Sequence, residues 1–242
     1  MIAKIAPSLC QGTLHIPPSK SMAHRAIIAA ALADGTSRIT NVDFSEDILA
    51  TIEGMRQLGA DITIEKDCVT VKGISDFQHL HSHEIFCNES GSTLRFFIPI
   101  FSLCGEAISF TGKGRLLQRP QTVYESIFHA QNLLFEHSHD AIQMQGTLKA
   151  GEYEIAGNIS SQFITGLLFA LPLLKGDSII HIAPPFESRS YIDLTLQMLR
   201  NFHIEIHFLD ELTIQIKGGQ KYQPKDVRIE GDYSQLAFFA VL

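Results

Sequence analysis

The feature that most constrains this chain is a repeat with a period of about 70 residues. Ser19 to Val42 reads SKSMAHRAIIAAALADGTSRITNV: hydroxyl residues open an apolar run, a glycine closes it, and a β-type run follows. The pattern returns as ESGSTLRFFIPIFSLCGEAISFTG from Glu89 to Gly112 and as ISSQFITGLLFALPLLKGDSIIHIA from Ile159 to Ala183. The closing glycines, Gly35, Gly105 and Gly176, lie 70 and 71 residues apart. GDYSQLAFFAVL, from Gly231 to Leu242, reads as the start of a fourth copy whose glycine would fall at about position 246. Residues 231–242 are therefore expected to be the truncated start of a fourth repeat, ending inside a helix.

A second unit alternates with the first. Ser45 to Ile74, Gln121 to Leu148 and Ser190 to Gly218 each give a helical run and then two short strand-like runs. In the first of these, Ile48, Ile52 and Met55 fall at helical spacing with Leu49 beside them, which predicts one buried stripe, and Gly59 suits the position just past a helix end. Each repeat is predicted as helix, strand, helix, strand, strand. Units of this kind bury their apolar faces against one another, so three of them predict one α/β domain with internal pseudo-symmetry. Its strands need not all run parallel.

With 45% hydrophobic and 19% charged residues in 242, the chain has material for a large core and shows no low-complexity stretch. A net charge of −7 argues against bulk binding to nucleic acid or an anionic membrane, so any anion site must be local. Cys10, Cys68, Cys87 and Cys104 have neither metal-site spacing nor the density of a disulfide scaffold, which predicts free thiols in a reducing compartment. MIAKIAPSLCQG lacks the continuous apolar stretch of a signal peptide, and the apolar runs Ala26 to Ala33 and Gly166 to Leu174 are too short to span a membrane. The expected location is the cytoplasm. His79, His81 and His83, like His137 and His139, alternate at period two but have no carboxylate or cysteine arranged with them, and they are read as loop or strand-edge residues, with no metal.

The repeat openings carry the chemistry. Free N–H groups and the dipole at a helix start favour anions, and small hydroxyl residues add donors without blocking approach. Ser19-Lys20-Ser21, Ser90-Gly91-Ser92-Thr93 and Ser160-Ser161-Gln162 occupy equivalent places, and a pseudo-threefold arrangement would bring them to one surface. The simpler alternative for each serine is a helix N-cap. Arg25 and Arg95 follow one turn inside two of the openings. A fixed charge is costly to bury alone, so Arg25 is expected to face a ligand or to pair with Asp47 or Glu46, and Arg95 is open to either reading. Arg119, before Pro120 and near Lys113 and Arg115, is either a solvated charge or a flexible clamp. Asp232 is read as the cap of the fourth helix and Asp47 as a first-turn acid.

PPSKSMAHRAIIAAALADG, NESGSTLRF, GRLLQRP, GNISSQFITGLL, ESRSYIDLTLQML and IEGDYSQLAFF resemble, in order and separation, the motifs of the 5-enolpyruvylshikimate-3-phosphate synthase family. The resemblance runs from about Pro17 to Leu242. The related UDP-N-acetylglucosamine enolpyruvyl transferases carry an Asn after the first-motif Lys and a reactive Cys before an Arg-Pro pair. Here Ser21 follows Lys20 and the loop TGKGRLLQRP has no Cys. One departure is Glu89, which stands between Asn88 and Ser90 where many members have Asn-Ala-Gly or Asn-Ser-Gly.

The resemblance implies an inside-out α/β barrel of three pseudo-symmetric repeats, with buried helices and outer mixed sheets over residues 17–238. It also implies N-terminal strands over 1–16 that belong partly to a second domain missing from this sequence. It implies transfer of the enolpyruvyl group from phosphoenolpyruvate to the 5-hydroxyl of shikimate 3-phosphate, with release of phosphate and without a cofactor, by a protein that is monomeric at full length. Lys20 would act in catalysis between the two phosphates; Ser21 and Arg25 would hold the shikimate carboxylate and hydroxyl side. Ser160, Ser161 and Ser188 would take the 3-phosphate, with Gln162 and Tyr191 bounding the ring. Gly91, Arg119 and Gln162 would contact phosphoenolpyruvate, Gly91 being where a side chain would crowd glyphosate. The acid and base nearest the chemistry come, in the family, from the second domain, so this chain is expected to bind without turnover. A stand-alone anion-binding or scaffold domain is the competing expectation.

Overall fold

Twelve strands fall into three separate four-stranded sheets, each covering one repeat, in a computed structural model that describes residues 12–240. The first unit contains α1 (Lys20–Ala31), β1 (Thr36–Thr40), α2 (Glu46–Leu58), β2 (Asp61–Glu65) and β3 (Cys68–Lys72). The second contains β4 (Glu84–Phe86), α3 (Gly91–Ser102), β5 (Ala107–Thr111), α4 (Thr122–Ala130), β6 (Leu134–His137) and β7 (Ile142–Gln145). The third contains β8 (Glu152–Ala156), α5 (Ser161–Ala170), β9 (Ser178–Ala183), α6 (Arg189–Asn201), β10 (Ile206–Phe208) and β11 (Thr213–Ile216). β12 (Val227–Arg228) and α7 (Tyr233–Ala240) follow.

The expected helix, strand, helix, strand, strand order is present in every unit, but a leading strand precedes it in two of them. β4 pairs parallel with β5, and β8 pairs parallel with β9. The equivalent partner of β1 is β12, drawn from the far end of the chain, with Ile39 opposite Val227. The sheet orders β12-β1-β3-β2, β4-β5-β7-β6 and β8-β9-β11-β10 are therefore the same arrangement three times, each with one parallel and two antiparallel pairings.

Burial explains which helices lie inside. α1 is buried continuously from Met22 to Ala31, α3 from Phe96 to Ser102 and α5 from Phe163 to Ala170, as apolar all-round helices require. The sheets alternate buried and exposed residues, as in Glu152–Ala156, and so turn one face outward. Side chains from all three units join one hydrophobic core. In α2 the stripe is Ile48, Ile52 and Met55 as expected, but Leu49 is exposed: its position points away from α1 and α3. Gly59 ends that helix at φ 118°, a left-handed conformation that glycine adopts without strain. Cys68, Cys87 and Cys104 are free, and burial pushes the Cys104 thiol up to about 12; Cys10 lies outside the described residues.

Gly166 permits the close approach of α5 to α3. A Cβ there would overlap the Arg95 carbonyl oxygen and the Tyr124 hydroxyl, both held by the hydrogen bond that the Tyr124 hydroxyl donates to Arg95 O. Backbone cannot yield as a flexible side chain can, so Gly166→Ala is expected to lower the unfolding free energy by about 2 kcal/mol, read from urea denaturation.

Of the expected N-terminal strands, residues 1–11 lie outside the described residues, and Gly12 to Ile16 form no strand. The chain is tied down just after them, where Ser19 N–H donates to Glu230 O and Asp232 N–H to Pro17 O. Asp232 Oδ1 accepts from Ser234 N and Gln235 N and caps α7, whose Leu236, Phe238 and Phe239 are exposed; Val241 lies outside the described residues. No helix among the described residues is long and apolar enough to cross a membrane.

Candidate functional site

The first turns of five helices meet at one end of the domain, linked in a closed ring by hydrogen bonds. Lys20 Nζ donates to Asp47 Oδ2 at 2.7 Å, joining α1 to α2. Asn88 Nδ2 donates to Glu46 Oε2 at 2.9 Å, joining the turn before α3 to α2. Gln162 Nε2 donates to Ser92 Oγ at 2.9 Å, joining α5 to α3. Thr165 and Thr195 Oγ1 lie 3.1 Å apart between α5 and α6, and Arg25 closes the ring from α1 to α6. Each link uses a residue in the first or second turn, so the helix starts face the same way.

The serine hydroxyls at these starts are capping groups. Ser19 Oγ accepts from Met22 N, Ser90 Oγ from Thr93 N and Ser160 Oγ from Gln162 N. Capping occupies one lone pair of each oxygen and leaves backbone donors ahead of it: Gly91 N, Ser92 N and Ser161 N make no hydrogen bond among the described residues. Ser161 is at the edge of burial, while Ser188 is exposed and sits at φ 58° before α6, with no side-chain capping bond.

Arg25 is placed differently from the ion-pair expectation. Asp47 is taken by Lys20 and Glu46 by Asn88. The Arg25 guanidinium, 3% exposed, instead donates from Nε to Thr195 Oγ1 at 2.8 Å, from Nη1 to Ser21 O at 2.8 Å and from Nη2 to Tyr191 O at 3.1 Å. It also lies 5.4 Å from the centre of the Phe96 ring. Burial lowers its pKa to about 10, which leaves it charged at neutral pH. Three of five N–H donors are used, so two remain for an acceptor entering between Ser21 and Tyr191. A cleft of about 250 Å³ lies beside these residues, its lining including Ser21, Tyr191, Leu194, Glu230, Asp232 and Tyr233.

Arg95 serves two neighbours. Nη1 donates to Gln162 Oε1 at 2.7 Å and Nη2 to Pro120 O at 3.3 Å, with the guanidinium 4.6 Å from the Phe163 ring centre. Among the described residues it has no carboxylate partner, and burial, with the nearby Arg119 charge, lowers its pKa. Gln162 is thereby fixed between Arg95 and Ser92. Arg119 follows a single 3-10 turn, Leu116–Gln118, and reaches over Gly91: a Cβ on Gly91 would stand 2.6 Å from Arg119 Nη1. The loop carrying it is docked by Lys113 N–H on Asn88 O at 2.9 Å and by His137 Nε2 on Leu117 O at 2.7 Å. His137 ends β6, in line with its reading as a strand-edge residue, but neither its bond to Leu117 O nor the fastening role of Asn88 was read from the sequence. His79 lies 3.1 Å from Asp76 Oδ1 on an exposed loop.

Gly91→Ala is expected to displace the Arg119 guanidinium without unfolding the chain, because a flexible side-chain end is what it meets. If Gly91 and Arg119 contact phosphoenolpyruvate, as the family resemblance implies, its binding should then weaken about tenfold, with shikimate 3-phosphate binding unchanged, in calorimetric titrations of each.

A ring of helix N-termini with cations and unspent backbone donors, set on an α/β domain of repeated units, is an arrangement suited to holding anions. A family model described as EPSP synthase (3-phosphoshikimate 1-carboxyvinyltransferase) matches residues 5–242, and the chain belongs to the EPSP synthase family. It is 49% identical over 237 residues to a 3-phosphoshikimate 1-carboxyvinyltransferase of Clostridium perfringens (strain SM101 / Type A), covering 97% of this chain and 56% of that protein. It is 50% identical over 244 residues to the protein of the same name from Clostridium beijerinckii, covering 98% of this chain and 56% of that one. The solved EPSP synthase of Acinetobacter baumannii superposes with a TM-score of 0.81 at 25% identity, over 95% of this chain and 52% of that one. The chain thus spans about half the length of the relatives it matches.

Proposed function

We propose that this chain holds shikimate 3-phosphate and phosphoenolpyruvate side by side for transfer of the enolpyruvyl group to the 5-hydroxyl. The convergence of the α1, α3 and α5 starts, with Lys20 at one and Arg119 over Gly91 at another, is the observation that carries this reading. Two polyanions repel one another, and the cations and the backbone donors fixed at the helix starts offset that repulsion.

In this reading Ser160, Ser161 and Ser188 take the 3-phosphate, and Gln162 and Tyr191 bound the ring. Ser21 and the two unspent donors of Arg25 hold the carboxylate and hydroxyl side. Gly91 N–H, Gln162 and Arg119 hold phosphoenolpyruvate, and Lys20 lies between the two phosphates. Protonation of the methylene carbon makes the neighbouring carbon electrophilic, and the 5-hydroxyl adds to it while losing its proton. The tetrahedral intermediate then expels phosphate, regenerating the double bond as the methyl carbon loses a proton. The chain's own residues orient both substrates and neutralise the departing phosphate; no acid or base for the proton transfers is assigned among them. Cytoplasmic location, small-anion substrates and a monomeric whole protein complete the reading.

The test is calorimetric titration of the chain with shikimate 3-phosphate. Lys20 is half exposed, so Lys20→Ala should weaken binding by about tenfold, an effect that fades with added salt. No binding by the unmodified chain, or equal binding by the variant, would overturn the assignment.

A further inference from the structure

A chain of buried hydroxyls crosses the core and ends at the α3 start. His24 Nδ1 lies 2.7 Å from Thr51 Oγ1, Thr51 Oγ1 lies 2.7 Å from Thr93 Oγ1, and Thr93 Oγ1 donates to Ser90 Oγ at 2.7 Å. The four residues come from α1, α2, α3 and the α3 cap, and each is at most 1% exposed. Ser90 and Thr93 belong to the second repeat opening, whereas His24 and Thr51 had no role in the sequence reading.

The hydrogens can be assigned by counting, because each hydroxyl has one to give. Thr93 gives its hydrogen to Ser90, the Asp47 carbonyl being farther away at 3.4 Å. Thr51 must therefore give its own to Thr93, and His24 must supply the Nδ1–H that Thr51 accepts. His24 Nε2 is then a bare acceptor, and it is a buried atom with no partner. A buried bare acceptor is tolerated more readily than a buried orphan N–H, which supports the same direction. The ring is neutral, since burial chiefly, with Arg25 and Lys20 acting against Asp47, lowers its pKa to about 3. At the other end Ser90 Oγ accepts twice, from Thr93 N and Thr93 Oγ1. Both lone pairs are spent, so the Ser90 hydroxyl hydrogen is left for an acceptor other than Thr93.

We propose that His24, Thr51 and Thr93 are positioning residues that polarise this chain toward Ser90, making its hydroxyl a committed donor to the anion held at the α3 start. The role rests on the proposed function. Ser90 adds an O–H to the free N–H groups of Gly91 and Ser92, beside Arg119. An unpolarised serine could turn either a lone pair or its hydrogen toward a phosphate; the relay removes the repulsive choice.

Nitrogen NMR of the chain labelled at histidine, with His24 assigned by comparison with His24→Gln, should find the His24 proton on Nδ1. Thr93→Val deletes the acceptor of Thr51, whose hydroxyl can then donate to His24 Nδ1, so the ring proton should move to Nε2; Thr93→Ser should restore the first tautomer. Phosphoenolpyruvate, followed by the Gly91 and Ser92 amide shifts, should bind Thr93→Val about tenfold more weakly and Thr93→Ser nearly as well as the unmodified chain. A proton on Nε2 in the unmodified chain overturns the polarity. Equal phosphoenolpyruvate binding by the Val variant overturns the positioning role and leaves the proposed function standing. If the unmodified chain shows no phosphoenolpyruvate shifts although His24 is protonated on Nδ1, the proposed function has failed and takes the anion role with it.

Discussion

Arg25→Ala is expected to lower the unfolding free energy by about 3 kcal/mol and, on the proposed function, to abolish measurable shikimate 3-phosphate binding. The stability loss has four sources. Thr195 Oγ1, Ser21 O and Tyr191 O each lose a charge-assisted partner, and a cavity opens beside Phe96. Loss of a buried cation returns part of its desolvation cost, which keeps the figure near 3 rather than higher. Binding suffers separately, because Ser21 and Tyr191 are oriented by the same guanidinium that retains two free donors. Arg25→Lys separates the effects: it keeps the charge but cannot reach three acceptors on two helices. Urea denaturation and calorimetry on both variants check this, and a folded Arg25→Ala with unaltered affinity would remove Arg25 from the site.

The second large effect is acid sensitivity. His24 has a folded-state pKa lowered to about 3 from 6.5, so between those values the unfolded chain binds a proton that the folded chain refuses. Stability from this group is therefore present above about pH 6.5 and falls as the pH drops, by about 1.4 kcal/mol per unit. From pH 6.5 to 4.5 the loss should be about 2.5 kcal/mol. His24→Gln, less stable at neutral pH, should show a much flatter profile over that interval in urea titrations. If both proteins lose the same amount, the acid response arises elsewhere.

The repeats were legible because each places a hydroxyl opening, an apolar run and a glycine at fixed spacing, and these map onto α1, α3 and α5. The leading strands were harder to read. β4 is three residues long, and β12 is two, too short to carry a period-two signal; β8, EYEIA, does alternate and could have been found. Leu49 was misjudged because a helical stripe read without knowing its neighbours is uncertain by one position. Pairing Arg25 with a carboxylate followed charge complementarity, but its acceptors are two backbone carbonyls and a threonine, which no charge pattern marks. The relay was invisible for a related reason: His24, Thr51 and Thr93 are 27 and 42 residues apart and meet only through helix packing.

The pairing of β12 with β1 bears on how the chain is made. Ile39 and Val227 are separated by 188 positions, so the first sheet cannot acquire its parallel neighbour until nearly all of these residues have left the ribosome. At synthesis rates of roughly 5–20 residues per second, that is a wait of about 10–40 s. Meanwhile β1 offers an open backbone edge that β3 covers on one side only. The second and third sheets, whose strands are consecutive, can close as they emerge. Nascent chains of this protein are thus most exposed to edge-to-edge mispairing at their oldest segment rather than their newest.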